Sequence, residues 1–462
     1  MKLMNFLYHI LWDDLFYIPL PHGSKLGISL LVAMLIPVGL WMTYKTNFVQ
    51  IRLFKKMFHL AFVDQSKKTK GSLSGLQTLI ISTATRIGMG NLVGVVAAVS
   101  IGGAGAVFWM WISAFIGMAN AFVEATLAQL HNRKDPLYGG LCGGPAYYIH
   151  DFVAKKRHKD PNKMKFSILA ILFALSGLMC WCGISQVVGN TVASAMHNAF
   201  EVSEMVSAIV LVSISAYIVL RKNATVKVLD ILVPIMAGFF FIASVGVIVW
   251  NIDQVPAVLS SIFSQAFGLK AMVSGGLGVV IMNGVKRGLF SNEAGSGSAP
   301  CAAAAALTDH PSKIGLLQAF GVFIDTMVIC TCTAMLLLLT PSELVVGLQD
   351  MDLLQTAANY HFGNFGSIFV AISLLLFSFS TFIGILFYAR SNVAYLFKES
   401  WLAQHAYKIL ALVMLFLGCV NTSEFVWVLS DVGVGLMTVF NLIVLVPMSK
   451  EAIENLKDYE AR

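Results

Sequence analysis

Arg86-Ile87-Gly88-Met89-Gly90-Asn91 interrupts a long apolar run, and the rest of the chain is read outward from it. A second interruption, Leu289-Phe290-Ser291-Asn292-Glu293-Ala294-Gly295-Ser296-Gly297-Ser298-Ala299-Pro300, falls inside another run of membrane length. Hydrocarbon offers no hydrogen bonds. Each N–H or C=O released by a helix break therefore costs several kcal/mol unless protein, water or a ligand takes it. Paired breaks in the two halves of a chain point to a binding site at mid-bilayer.

The 462 residues are 57% hydrophobic and 12% charged, with a mean hydropathy of +0.78. Soluble domains carry about 25% charge, so the composition is that of an integral membrane protein. The net charge of +7 would suggest nucleic acid in a soluble protein. Here the basic residues cluster in particular loops, and no nucleic-acid partner is expected. Cys180, Cys182, Cys330, Cys332 and Cys419 sit in apolar runs and read as small core residues, not as a disulfide framework. Residues 1–20 carry Asp13 and Asp14 within their apolar run and lack a signal-peptide cleavage site. They read as an interfacial helix on membrane lipid, with Tyr8, Trp12 and Tyr17 at headgroup level.

Hydrophobic runs give eleven candidate spans, near 26–45, 74–101, 105–131, 166–192, 204–221, 228–250, 272–306, 314–340, 365–392, 404–420 and 424–448. The connection after the first carries Arg52, Lys55, Lys56, Lys67, Lys68 and Lys70. The one after the third carries Arg133, Lys134, Lys155, Lys156, Arg157, Lys159, Lys163 and Lys165, and the one after the fifth Arg221, Lys222 and Lys227. Alternate connections are poor in Lys and Arg. By the positive-inside rule the basic loops are cytoplasmic, the N-terminus outside and the C-terminus inside. The first break then lies in a span running outward and the second in a span running inward. That arrangement is an inverted five-plus-five repeat with a broken first helix in each unit and one extra span in front. Four segments follow: 1–73 with the interfacial helix, the extra span and a basic loop; 74–250; 251–450; and a cytoplasmic tail, 451–462.

A half-helix N-terminus carries about half a positive charge and free N–H groups, which suit a carboxylate. The facing C-terminus suits an ammonium group or Na⁺. A zwitterionic amino acid matches both. Gly88 and Gly90 allow direct contact with the backbone, and Gly295 and Gly297 can do the same on the other break. Small residues also serve helix packing, but two such sets in related positions favour a ligand. Asn91 can coordinate a cation or cap the outer half-helix. Glu293 is a functional candidate by depth, or the partner of Lys286, Arg287 or Arg86. Asp325, next to Thr326, meets either a cationic cargo or a basic side chain; for Glu124 a structural pairing is favoured. The hydroxyls of Ser378-Phe379-Ser380-Thr381 either bind Na⁺ or bond back to their own helix.

The run from Gly284 through Pro300 (GVKRGLFSNEAGSGSAP) resembles the signature of the alanine/glycine:cation symporter family almost residue for residue. Arg86 to Gly94 (RIGMGNLVG), Phe108-Trp109-Met110-Trp111, Gly143-Gly144-Pro145-Ala146-Tyr147-Tyr148 and Phe323-Ile324-Asp325-Thr326 are similar to its other blocks, in the same order. The resemblance implies an all-α, polytopic LeuT-type core behind one extra span. It implies uptake of a small neutral amino acid, alanine or glycine, with Na⁺ as co-transported ion, in a bacterial or archaeal cell membrane. The residues expected at the substrate are then Thr85, Gly88, Met89, Gly90, Gln186, Asn190, Phe290, Asn292, Gly295 and Asp325. Asn91 would reach one sodium; carbonyls near Ala84 and Ile87, with Ser380 and Thr381, would form a second site.

One departure stands out. Where the family often has Val-Gln-Ala/Ser-Asn, this chain has Val187-Val188-Gly189-Asn190. Valine replaces a pocket glutamine, Gln186 faces elsewhere, and Gly189 leaves space. Glutamine or serine is therefore an alternative cargo, and H⁺ carried by Glu293 or Asp325 an alternative coupling. A channel would show current without stoichiometric flux. An enzyme is not expected: His9, His59, His131 and His150 lie outside or at the edges of spans, and no HExxH or nucleophile elbow occurs.

Overall fold

The computed structural model describes residues 2–19, 25–62, 75–135, 137–221, 224–267, 277–398, 400–421 and 423–462. Lys67, Lys68, Lys70, Lys222 and the expected starts of the spans near 74 and 272 lie outside them. The fold is helical throughout except for two short ribbons.

The N-terminal helix is Lys2–Trp12, shorter than the run that suggested it. Extended chain follows, because Phe16, Tyr17 and Ile18 are β-prone residues behind the Asp13-Asp14 break. Asp14–Pro19 pairs antiparallel with Lys25–Ser29. The extra helix therefore begins only at Leu30, capped by Ser29 Oγ, which accepts the Val32 N–H at 3.3 Å. Its 16 residues span about 24 Å at 1.5 Å per residue.

Among the described residues, seven helices are long and apolar enough to cross a membrane: Gly105–Leu130, Ile168–Phe200, Ile231–Trp250, Pro311–Leu338, Phe365–Phe397, Trp401–Val420 and Val426–Ala461. Leu30–Lys45, Gly90–Gly102 and Glu204–Val219 are apolar but shorter. The remaining apolar run is the second broken helix, with helix over Leu277–Asn292 and a single turn over Pro300–Ala303. Each of the eleven runs thus contains helix.

Ile168–Phe200 packs against the helices Phe365–Phe397, Trp401–Val420 and Ser423–Ala461. Glycines on both sides allow these backbones to close, as small residues do in helix contacts without a hydrophobic driving force. A Cβ at Gly183 would sit 2.4 Å from Ser430 N, and one at Gly433 2.4 Å from Cys180 Cα. Ala224–Trp250 stands at the other extreme, with Ile231, Ile235, Phe239, Ile242 and Val249 all exposed, as a lipid-facing helix requires. All seven cysteines are buried and free of disulfides.

Candidate functional site

The first broken helix runs as α-helix over Gly75–Arg86, keeps a last helical bond from Ile87 N–H to Thr83 O, departs from regular bonding at Gly88, and resumes as a π-turn over Gly90–Gly94 leading into Val95–Gly102. The break is internally braced. Gly88 N–H donates to Asn91 Oδ1 at 3.0 Å and to Arg86 O at 2.8 Å. Met89 N–H donates to Thr381 Oγ1 at 3.3 Å, which ties the break to the helix Phe365–Phe397.

The two breaks meet. A Cβ at Gly90 would lie 3.3 Å from Ser291 Cα and 3.4 Å from Phe290 O, so glycine is what allows the approach. Asp325 joins them. Its carboxyl accepts from Asn91 Nδ2 on one broken helix and from Ser291 Oγ, at 3.0 Å, on the other. Thr326 Oγ1 adds a bond at 2.6 Å. Asp325 is buried on a second π-helical stretch, Phe323–Cys330; π-bulges recur at functional sites. Among the described residues no basic side chain bonds it. Arg86 bonds Gln318 instead, at 3.0 and 3.1 Å.

The second break is stitched by side chains. Gly295 N–H donates to Glu124 Oε2 at 3.2 Å, and Asn441 Nδ2 donates to both Glu124 Oε1 and Gly295 O. Glu124 thus pairs with main chain and an amide, not with a base. Glu293, Gly295 and Gly297 have φ of 57°, 94° and 82°, the left-handed region where glycine is favoured. Gly295 is enclosed by Leu35 and Asn120, and Gly297 by Pro145 and Phe173. These glycines serve a tight turn whose N–H is already held, which differs from the open main chain expected there.

The other expected residues fall in several places. Ile87, Met89 and Asn292 are buried at the breaks. Asn292 Oδ1 caps Ala294 N–H at 3.0 Å, while its Nδ2 has no hydrogen-bond partner among the described residues. Phe290 packs beside Gly90 and meets the Trp427 ring at a tilt, with centroids 5.0 Å apart. Ser380 and Thr381 bond back to Phe377 O at 2.8 and 2.9 Å, and Thr381 also serves the break. Ala84 and Thr85 lie in the helix leading into the break; their side chains are outside the described set. Gln186 faces the helix Trp401–Val420, with Nε2 3.3 Å from Met414 Sδ. Gly189 faces the same helix, and a Cβ there would meet Leu415 O at 2.2 Å, so the space it was expected to leave is filled. Asn190 bonds Asn421 O at 2.9 Å and lines a cavity of about 640 Å³, together with Val93, Asp350 and Trp427.

A separate set of polar contacts joins the end of Gly105–Leu130, the turn at Pro300–Ala303 and the helix Phe365–Phe397 to their neighbours. Gln129 Nε2 bonds Ala303 O and Ala306 O, Arg390 pairs with Asp135, and Ser391 Oγ bonds Gly143 O. The sequence reading missed Asn441 and Asp431, both polar residues within the last apolar run. Lys286 pairs with Asp431 at 2.7 Å and not with Glu293.

The profile of the sodium:alanine symporter family matches residues 22–462. The chain belongs to that family. As a member of the sodium:alanine symporter family it is a multi-pass membrane transporter. It is 39% identical over 440 residues to the Bacillus subtilis protein named probable sodium/glutamine symporter GlnT, covering 95% of this chain and 89% of that one. Amino-acid carrier protein AlsT of Bacillus subtilis is 37% identical, with 99% and 92% covered. Sodium/alanine symporter AgcS of Methanococcus maripaludis is 34% identical, with 93% and 94% covered. The fold is shared with MhsT, solved in complex with L-phenylalanine, at a TM-score of 0.56 and 12% identity, covering 84% of this chain and 98% of that one. A manganese transporter of Eremococcus coleocola gives 0.53 at 13% identity, covering 85% and 82%.

Proposed function

We propose that this family member is a secondary active symporter that takes up a small neutral amino acid with Na⁺ by alternating access. Its core would be two inverted five-helix units, 74–250 and 251–450, behind the extra helix. That makes eleven crossings of a bacterial or archaeal cell membrane, with the N-terminus outside. The observation that carries the reading is the contact of the two breaks through Asn91, Ser291 and Asp325. The outer half-helix of the first break presents its N-terminal pole to the cargo's carboxylate around Gly88 to Gly90. The carboxyl and hydroxyl oxygens at Asp325, Thr326 and Ser291 form a hard-oxygen set suited to Na⁺. Thr381 and Ser380, beside the Met89 amide, supply a second. On this reading the cavity at Asn190, Asp350 and Trp427 opens outward and admits the cargo. The inside-negative potential then favours uptake by about 2.3 kcal/mol per elementary charge per 100 mV.

Alanine and glycine are the preferred cargo by family. Glutamine is the second reading, favoured by valine at Val188 and by the relative named for glutamine. The test is uptake by the full chain in proteoliposomes under imposed Na⁺ or H⁺ gradients, with alanine, glycine, serine and glutamine as labelled substrates. Na⁺-driven accumulation of one of them is expected, and Asn91→Ala should weaken its Na⁺ dependence. Equal uptake with and without the Na⁺ gradient would overturn the coupling.

A further inference from the structure

Two adjacent cations on the second broken helix face a single carboxyl. Lys286 takes it: its Nζ lies 2.7 Å from Asp431 Oδ2 and 2.7 Å from Tyr8 Oη, over the rings of Tyr8 and Trp12. Trp12 Nε1 holds the Asp431 carbonyl at 3.0 Å, so the N-terminal helix seals this pair. Arg287 shares it at longer range. Its Nη1 forms an ion pair with Asp431 Oδ1 at 3.8 Å, beyond hydrogen-bond reach, and Nε and Nη1 have no hydrogen-bond acceptor among the described residues. Yet Arg287 is only 7% exposed. A buried guanidinium whose paired carboxylate stands beyond hydrogen-bond reach is costly, and a closer anion would fill its empty donors.

The place of Arg287 says which anion. Its guanidinium lies 4.4 Å over the ring of Trp427. Trp427 lines the cavity and also meets Phe290 at a tilt, and Phe290 packs beside Gly90 at the first break. Arg287 is thus one aromatic ring from the cavity and two from the break. We infer that Arg287 and Trp427 form an outer station that holds the carboxylate of the incoming amino acid before it passes the Phe290–Trp427 pair. The inference rests on the symporter reading above. A planar fork stacked on an aromatic face is suited to bidentate capture of a carboxylate. Asp350, also on the cavity wall, could instead swing onto Arg287 as a latch, and the test separates the two.

A station on one face acts on entry from that face alone. KM for amino-acid uptake from outside and for efflux from inside is measured in proteoliposomes of the full chain, with Arg287→Gln, Arg287→Lys and Asp350→Asn. Arg287→Gln is expected to raise the external KM about tenfold, the loss of one charged hydrogen-bonding contact, and to leave the internal KM within about twofold. Arg287→Lys should restore part of the loss. Asp350→Asn should leave the external KM within about twofold. Efflux by the same variants reports that they fold. An unchanged external KM, or an equal rise on both faces, would overturn the station. So would Asp350→Asn reproducing the Arg287→Gln effect, which marks a latch. Absence of uptake by the unmutated protein would count against the symporter reading itself; uptake with an Arg287→Gln variant that behaves as wild type counts only against the station.

Discussion

Asp325→Asn keeps the shape of a side chain on which donors from three segments converge and removes its charge. Asn91 Nδ2, Ser291 Oγ and Thr326 Oγ1 all point hydrogens at the carboxyl. An amide has only one oxygen to accept with, so at least one donor is left buried and unmatched, at about 1–3 kcal/mol. If the carboxyl also faces Na⁺, the variant should need about tenfold or more external Na⁺ for half-maximal uptake. Uptake measured against external Na⁺ checks it. An unchanged Na⁺ curve in a variant that still transports would place the cation elsewhere. Glu124→Gln has a different signature. Its oxygens hold Gly295 N–H and Asn441 Nδ2, so the new amide confronts two donors at a turn. The expected result is a loss of about 1–3 kcal/mol of stability, seen as a lower melting temperature in detergent, with the Na⁺ curve of the surviving protein unmoved.

At the scale of elements, the breaks were legible because Gly, Asn and Ser in an apolar run cannot face lipid as regular helix. Their partners were not. Glu124 meets Gly295 across 171 positions and Asn91 meets Asp325 across 234, and no local pattern encodes contacts made by packing. The π-turns at Gly90–Gly94 and Phe323–Cys330 leave no periodic trace in uniformly apolar sequence. Lys286 was read toward Glu293 by proximity along the chain, whereas helix rotation turns it to Asp431 on the last helix. The hairpin at 14–29 was hidden because its strands are as apolar as an interfacial helix. Glycine roles divide in the same way: Gly88 and Gly90 mark a break, while Gly183, Gly189 and Gly433 mark helix contacts, and only the fold tells them apart. Gly433→Ala places a methyl 2.4 Å from the Cys180 backbone, which cannot swing aside. A loss of about 1–3 kcal/mol or more is expected. Gly246→Ala meets nothing within 4 Å and should leave the melting temperature unchanged or slightly raised. Comparing the two melts isolates packing from helix propensity; equal melts would mean the contact between Ile168–Phe200 and Ser423–Ala461 gives way without cost.

At the scale of the whole molecule, the alternating access proposed above would require the end around His131 to open, and its ion pairs set how firmly it is held. His131, the first residue past the helix Gly105–Leu130, sits between Asp151 and Glu451, with each ring nitrogen 2.9 Å from a carboxylate oxygen. Both nitrogens must carry hydrogen to serve both carboxylates, so the ring is held as the imidazolium. Burial pushes its pKa down, and the bonds and charges of Asp151 and Glu451 outweigh that, raising it from 6.5 to about 9. Since the folded value lies above the unfolded one, the stabilisation is fully present below about pH 6.5 and is lost as pH rises through about 9. At stake is on the order of 3 kcal/mol. The pair bridges the helix Pro145–Lys156 to the far end of Ser423–Ala461, so its loss frees two elements that, on the proposed symporter reading, would part for release of the cargo. The expected outcome is a wild-type melting temperature that falls between about pH 6.5 and 9 more steeply than that of His131→Gln, with the variant already less stable at pH 7 and faster in efflux. Other groups titrate over the same interval, but they do so in both proteins, and only the difference between the curves belongs to His131. Parallel curves would mean that the imidazolium does not hold this end closed, and that the Arg390–Asp135 and Gln129 contacts do so without it.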